Sequence, residues 1–229
     1  MQKNGLERFN TLIKLYVLHK IIDLRKQISE WKSEGLSVGL VPTMGGLHNG
    51  HRSLIKLASK KCDRVIVSIF INPTQFGDDE DFETYPQTQK SDITLISEAG
   101  GDAAFIPNVS EMYPRGFSTK VSVIGLTNML CGASRPGHFD GVTQVVAKLL
   151  NQVSADMAFF GEKDWQQLTI IKRLVRDLDI PTKIVNVATV RDEFGLALSS
   201  RNSYLNSSQL EIARKLSSVL QMTAYNIAS

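Results

Sequence analysis

Cysteine is scarce: Cys62 and Cys131 are too few and too widely spaced for a disulfide framework or a paired metal motif, which implies a reducing, cytoplasmic setting. The excess of one charge sign over the other is small too. A net charge of +3, with no Lys/Arg stripe interleaved with aromatic residues, argues against a nucleic-acid partner. No apolar run reaches membrane length. The richest stretch, residues 9–24, is broken by Lys14, His19 and Lys20 and has no small-residue cleavage site. It therefore reads as an amphipathic packing segment rather than a secretory signal or a membrane span. Internal repeats and low-complexity tracts are missing. So are both common nucleotide fingerprints, Gly-x-x-x-x-Gly-Lys-Ser/Thr and Gly-x-Gly-x-x-Gly.

What is present is an ordinary globular balance over 229 residues, 42% hydrophobic and 21% charged. Continuous β-branched and apolar runs predict strands at 37–41, 64–70, 103–106, 156–160 and 182–187, with a further β-prone stretch at 119–124. Helical spacing predicts helices at 23–32, from 49 to about 62, at 87–98, 142–153 and 164–178, and last at 209–225. Loops are expected at 71–85, 107–118 and 132–141. Strand and helix alternate with short connections, which predicts an α/β, Rossmann-like parallel sheet with helices on both faces.

Around residues 41–52, Val-Pro-Thr-Met-Gly-Gly-Leu-His-Asn-Gly-His-Arg, this order becomes chemistry. A strand ends at Pro42, Gly45 and Gly46 turn the chain, and a helix opens near Asn49. Such a helix N-terminus leaves unpaired N–H groups and a positive dipole end, which suits a phosphate. His48 and His51 sit at i, i+3 on that mouth, as phosphate donors or as one cap and one packing residue. A zinc reading lacks a third ligand. Gly161, Glu162, Lys163 and Asp164 repeat the strand-to-helix geometry and add a lysine, though a solvated turn has the same composition. Leu198, Ser199, Ser200 and Arg201 place two hydroxyls and a guanidinium on a loop, suited to closing over a polyphosphate or simply to a serine-rich turn. Gln75 and Gln167 are uncharged groups able to hold a hydroxyl or carboxylate, or equally ordinary surface residues. The stretch 132–139 frames Arg135 and His138 between glycines and a proline, as a binding or structural loop.

Five of these segments, 42–51, 72–76, 132–139, 160–167 and 199–202, resemble in order and spacing the pantoate–β-alanine ligase family. The resemblance runs from about Val17 to about Leu205. It implies ATP-dependent formation of a pantoyl adenylate and pyrophosphate, then attack by β-alanine to give pantothenate and AMP, with Mg2+ accompanying the nucleotide. By resemblance, Met44, Gly45, Gly46, Leu47, His48, Asn49, Gly50 and His51 line the ATP site, with His51 as proton donor. Gly161 to Asp164, Val190 and Leu198 to Arg201 complete it. Gln75 holds pantoate and borders the β-alanine site, Gln167 holds pantoate, and Asn72 is a further substrate-binding residue; His48, Lys163 and Arg201 join His51 in catalysis. No metal ligand is assigned. The resemblance also implies a homodimer.

Leu198 stands where the family more often has methionine, a change that nearly conserves volume. The expected layout is an N-terminal extension at 1–16, a catalytic domain at 17–202 and, at 203–229, the start of a C-terminal lid domain that is largely missing. Two other readings follow from that layout and from the histidine motif. One is a truncated, catalytically weak nucleotide-binding fragment. The other is a nucleotidyltransferase acting on tRNA, against which the weak net charge and the Gln75 loop both argue.

Overall fold

The computed structural model describes residues 15–228. Residues 1–14, most of the expected N-terminal extension and part of the 9–24 segment, lie outside the described residues. The strands are β1 (Tyr16–Leu18), β2 (Val38–Thr43), β3 (Arg64–Ile69), β4 (Ala103–Phe105), β5 (Met157–Gly161) and β6 (Lys183–Val187). They form one parallel sheet in the order β1-β4-β3-β2-β5-β6. The main helices are α1 (Ile21–Ser33), α2 (Asn49–Lys61), α3 (Gln89–Ala99), α6 (His138–Val153), α7 (Trp165–Asp177) and α8 (Ser207–Ala228). Short helices α4 (Val109–Met112) and α5 (Cys131–Ser134) occupy stretches expected to be loop.

Strand periodicity divides the core in two. Leu40, Ile66, Phe105, Ala158 and Phe160 pack with α1, α6 and α7 through Leu24, Trp31, Val142, Leu168 and Ile171. Their neighbours Val41, Val65, Val67, Ala104 and Phe159 face the other way, onto Ile55 and Ala58 of α2 and Ile96 and Ala99 of α3. Side chains of successive strand residues point to opposite faces, so a fully covered sheet reads as a continuous apolar run. Helices on both faces follow.

Other expectations are corrected too. The 9–24 segment contains an edge strand, β1, paired in parallel with β4. Three residues are too short a run to show strand periodicity against a helical background. The 119–124 stretch forms no strand. Helix α6 satisfies its backbone instead: the Val121 N–H donates to Gln144 Oε1 at 2.9 Å, and its carbonyl accepts from Thr143 Oγ1 at 2.7 Å. Finally, α6 starts at His138 rather than 142, after Gly137 at φ +82° with no side-chain cap to announce it.

Helix α1 also begins earlier than expected, at Ile21, because a carboxylate from far along the chain accepts its first N–H. That carboxylate is Glu111 Oε1, at 2.9 Å. The sheet changes direction between β2 and β5, since β3 lies on one side of β2 and β5 on the other. Open α/β sheets form their crevices at the carboxyl ends of strands flanking such a switch.

Candidate active site

That crevice is a cleft of about 260 Å3 lined by Met44, His48, Gly50, His51, Gln75, Lys163, Asp164, Gln167 and Val190, and by Leu198 to Arg201. Five sequence segments therefore meet there. Its floor is the turn after β2. Thr43 Oγ1 donates to the Ser68 carbonyl at 2.6 Å and accepts from the Gly45 N–H. Gly45 and Gly46 have φ of +91° and +62°, in the left-handed region that only glycine enters at little cost. Asp92 of α3, 2% exposed, holds this turn from behind. Its carboxylate accepts from the Gly46 and Leu47 N–H groups at 3.0 and 2.8 Å, and from Thr88 Oγ1 at 3.0 Å.

The two histidines cap each other's turn. His48 Nδ1 accepts from the Gly50 N–H at 3.1 Å, and His51 Nδ1 accepts from the His48 N–H at 3.3 Å. A Cβ at position 50 would press within 2.8 Å of the His48 ring, so glycine is the residue that lets the ring lie over that amide. Accepting at Nδ1 leaves the ring proton on Nε2 in both residues. Burial, then the charge of Lys163, holds His48 below its ordinary value. His51 is lowered to about 3 by burial, then by His48 and Lys163. Both rings are therefore neutral donors near pH 7. Capping and phosphate binding, alternatives on paper, are compatible here because each uses a different ring nitrogen.

Across the cleft, Val190 and Leu198 are tied by a backbone hydrogen bond of 2.9 Å beside the Arg191–Ala197 bridge. This hairpin brings Ser199, Ser200 and Arg201 to the rim. Arg201 Nε and NH2 donate to the two Asp81 oxygens at 2.9 and 2.7 Å, and the guanidinium lies over Tyr85 at 5.3 Å. Tyr85 OH meets Ser200 Oγ at 3.0 Å. Lys163 pairs with Asp164 at 3.2 Å.

The family model described as pantoate–β-alanine ligase matches residues 16–228. The chain belongs to the pantoate–β-alanine ligase family. It is 53% identical over 213 residues to a pantothenate synthetase of Dinoroseobacter shibae, covering 93% of this chain and 76% of that one. A Cereibacter sphaeroides pantothenate synthetase is 56% identical over 191 residues, 83% of this chain and 68% of its own length. Among solved structures, the pantothenate synthetase of Thermus thermophilus matches with a TM-score of 0.87 at 46% identity, over 90% of this chain and 74% of that one. The Francisella tularensis pantoate–β-alanine ligase, solved with β,γ-ATP and β-alanine, matches with a TM-score of 0.85 at 42% identity, over 90% and 79%.

Within this ligase fold, not every expected residue touches the cleft. Gly45, Gly46, Leu47 and Asn49 shape the turn and helix start without lining the cavity, and Glu162 bonds the Asn186 amide instead. Asn72, 1% exposed, sits behind Gln75. Its Nδ2 donates to Gln75 Oε1 at 3.1 Å and to the Gly141 carbonyl at 3.0 Å. Its Oδ1 accepts from Thr74 and Tyr113, leaving no polar valence for a ligand. Gln75 Nε2 contacts Met44 Sδ at 3.2 Å, while Gln167 has no hydrogen-bond partner among the described residues. Asp92, Asp81 and Tyr85 are site residues that the motifs do not announce. Asp81 shows in sequence only as part of a cluster of acids in a loop, which ordinary solvation also explains, and Asp92 only as an acid in a helical stretch.

Proposed function

We propose that this chain activates pantoate with ATP and passes the acyl group to β-alanine. The pantoate carboxylate attacks the α-phosphorus, the bond to the β-phosphate oxygen breaks, and pyrophosphate leaves. The β-alanine amine then attacks the acyl carbon, sheds its proton and displaces AMP. What carries this reading is one cleft that gathers two neutral imidazoles, Lys163 and Arg201 beside two glutamine amides, in a chain of this family.

The roles follow from the chemistry. Negative charge builds on phosphate oxygens, so preorganised donors lower the barrier. The Nε2–H groups of His48 and His51 donate to the nucleotide; a ring with its pKa near 3 acts as a hydrogen-bond donor and gains basicity only as phosphate charge arrives. Lys163 and Arg201 supply charge, and Ser199 and Ser200 short hydrogen bonds. Gln75 and Gln167 hold pantoate without competing for its carboxylate's charge, and Asn72 braces Gln75.

No group of three or more His, Cys, Asp or Glu suited to a metal occurs among the described residues. Mg2+ would be held by the nucleotide's own phosphates, with the Asp164 carboxylate in the cleft wall as the protein group that would meet it. Bound there, Mg2+ would neutralise phosphate charge.

Residues 17–202 form the catalytic unit in this reading, and 203–229 belong to a lid over it. A homodimer is supported by apolar surface at Ile124, Met129, Leu130 and Trp165, exposed by 90, 51, 74 and 61%. Unpaired thiols at Cys62 and Cys131 suit the cytoplasm. Pantoate-dependent ATP–pyrophosphate exchange, followed by β-alanine-dependent AMP release, tests the reaction. Loss of exchange in His48→Ala and His51→Ala is expected; normal exchange in both removes the assigned roles.

A further inference from the structure

Behind Gln75 runs a hydrogen-bonded chain that the reaction above does not use. The Glu80 carboxylate accepts from Nε and NH2 of Arg135 at 2.5 and 2.6 Å. Arg135 NH1 lies 3.1 Å from His138 Nε2. His138 Nδ1 lies 2.8 Å from the Gln75 backbone carbonyl oxygen. One fact orients every bond in this chain. A guanidinium has donors only, so His138 Nε2 must be the bare, accepting nitrogen. The ring proton then sits on Nδ1 and donates to the Gln75 carbonyl. His48 and His51 carry the opposite tautomer, so the cleft's three histidines are set in two ways by their partners.

The neutral form fits its surroundings. Burial first, and then the charges of Arg135 and Arg201, hold His138 below its ordinary value against the opposing pull of the Gln75 carbonyl and Glu80. Its place in the fold makes the contact rigid. His138 opens α6, and one turn later the Gly141 carbonyl accepts from Asn72. A Cβ at 141 would overlap the Thr74 carbonyl and the Gln75 nitrogen, so the helix rests directly on the turn Pro73–Gln75. The Gln75 peptide is thus gripped on both sides: α6 packs against its nitrogen and His138 holds its carbonyl.

We infer that His138 is a positioning residue for pantoate: fixed by Arg135 and the Gln75 carbonyl together as the Nδ1–H tautomer, it locks the Gln75 backbone and so keeps the Gln75 side chain in the cleft wall. The inference rests on the ligase reading for the identity of the substrate. Its structural half stands on the tautomer.

Two measurements test it. The chain has four histidines. In a long-range 1H–15N spectrum near neutral pH, His138 is expected with a protonated Nδ1 and a bare Nε2, and the ring signals missing from His138→Gln assign it. An Nε2–H form or an imidazolium overturns the inference, whatever the enzyme's activity. In exchange assays, His138→Ala and His138→Gln should raise the KM for pantoate about tenfold, the scale of one lost hydrogen bond, and leave that for ATP within about twofold. His138→Asn keeps a donor where Nδ1 lies and should recover most of the loss. Equal rises for both substrates, or Asn no better than Ala, overturn the inference while unaltered protein still performs exchange. Absence of exchange in unaltered protein overturns the ligase reading instead.

Discussion

The glycine turn at 43–51 and the rim made by 77–85 and 191–204 face each other across one cleft, yet they are held by different forces. The turn's own bonds are short in sequence, His48 to Gly50 and His51, and it is braced by a buried carboxylate. The rim depends on an ion pair that spans the chain: Arg201 with Asp81, 120 residues apart. Buried, fully satisfied hydrogen bonds rigidify a site and resist salt. Partly exposed ion pairs contribute little stability and exchange partners readily. In the proposed function the turn is therefore a preformed anion cradle. In that reading the rim instead presents a guanidinium already occupied by a carboxylate, which an arriving polyphosphate would replace.

The largest effect should come from breaking the turn at its brace. Asp92→Ala strands the Gly46 and Leu47 N–H groups and should cost about 3 kcal/mol, read by chemical denaturation, since unmade buried hydrogen bonds cost roughly 1–3 kcal/mol each. Exchange activity should fall with it. Stability unchanged in this variant would deny the turn its buried brace. Gly50→Ala separates cradle from stability. The new Cβ displaces only the His48 ring, and alanine favours a helix over glycine by about 1 kcal/mol. The fold should therefore hold while exchange drops at least tenfold, a scale set by misplacing one catalytic donor. Full activity in that variant would show that the His48 cap is dispensable.

The same division governs what the sequence discloses. The sheet is legible because strands covered on both faces are written as apolar runs, such as Arg64–Ile69, and helices as 3.6-residue stripes. The turn is legible because its residues are neighbours in sequence. Two short elements are not: β1 is three residues at an edge, and 119–124 has strand composition but finds its hydrogen bonds on α6. The start of α6 carries no capping residue to read. Asp92, Glu80 and Asp81 look like any solvated acid until folding delivers their partners from 45, 55 and 120 residues away. Local chemistry can be read from spacing; pairings closed only by topology cannot.

Acid should act on the turn before the rim. His51 binds its proton far less readily folded, near 3, than unfolded, near 6.5, so the unfolded chain holds more protons between those values. Stability is then full above about 6.5 and is lost as pH falls toward 3, by at most about 1.4 kcal/mol per pH unit for one such group. His48 and His138, also lowered, push the same way. Asp81 and Glu80, lowered by their arginines, begin to lose their contribution only around ordinary carboxylate values. Denaturation midpoints measured from pH 8 to 4 should decline from about 6.5 downward, and His51→Gln should flatten that decline. A slope in His51→Gln equal to that of the unaltered chain would place the acid sensitivity elsewhere.

The smallest effect belongs to the rim. Asp81→Asn releases Arg201 from a pair whose side chains are 42% and 21% exposed, so stability should change by less than about 1 kcal/mol. Removing that competing carboxylate leaves Arg201 positively charged beside the cleft. ATP should consequently bind a few-fold more tightly by calorimetry, and the gain should shrink as salt is raised, because the site is screened. Weaker ATP binding in Asp81→Asn would mean that the carboxylate aims the guanidinium rather than occupying it, and the rim would then be as preformed as the turn it faces.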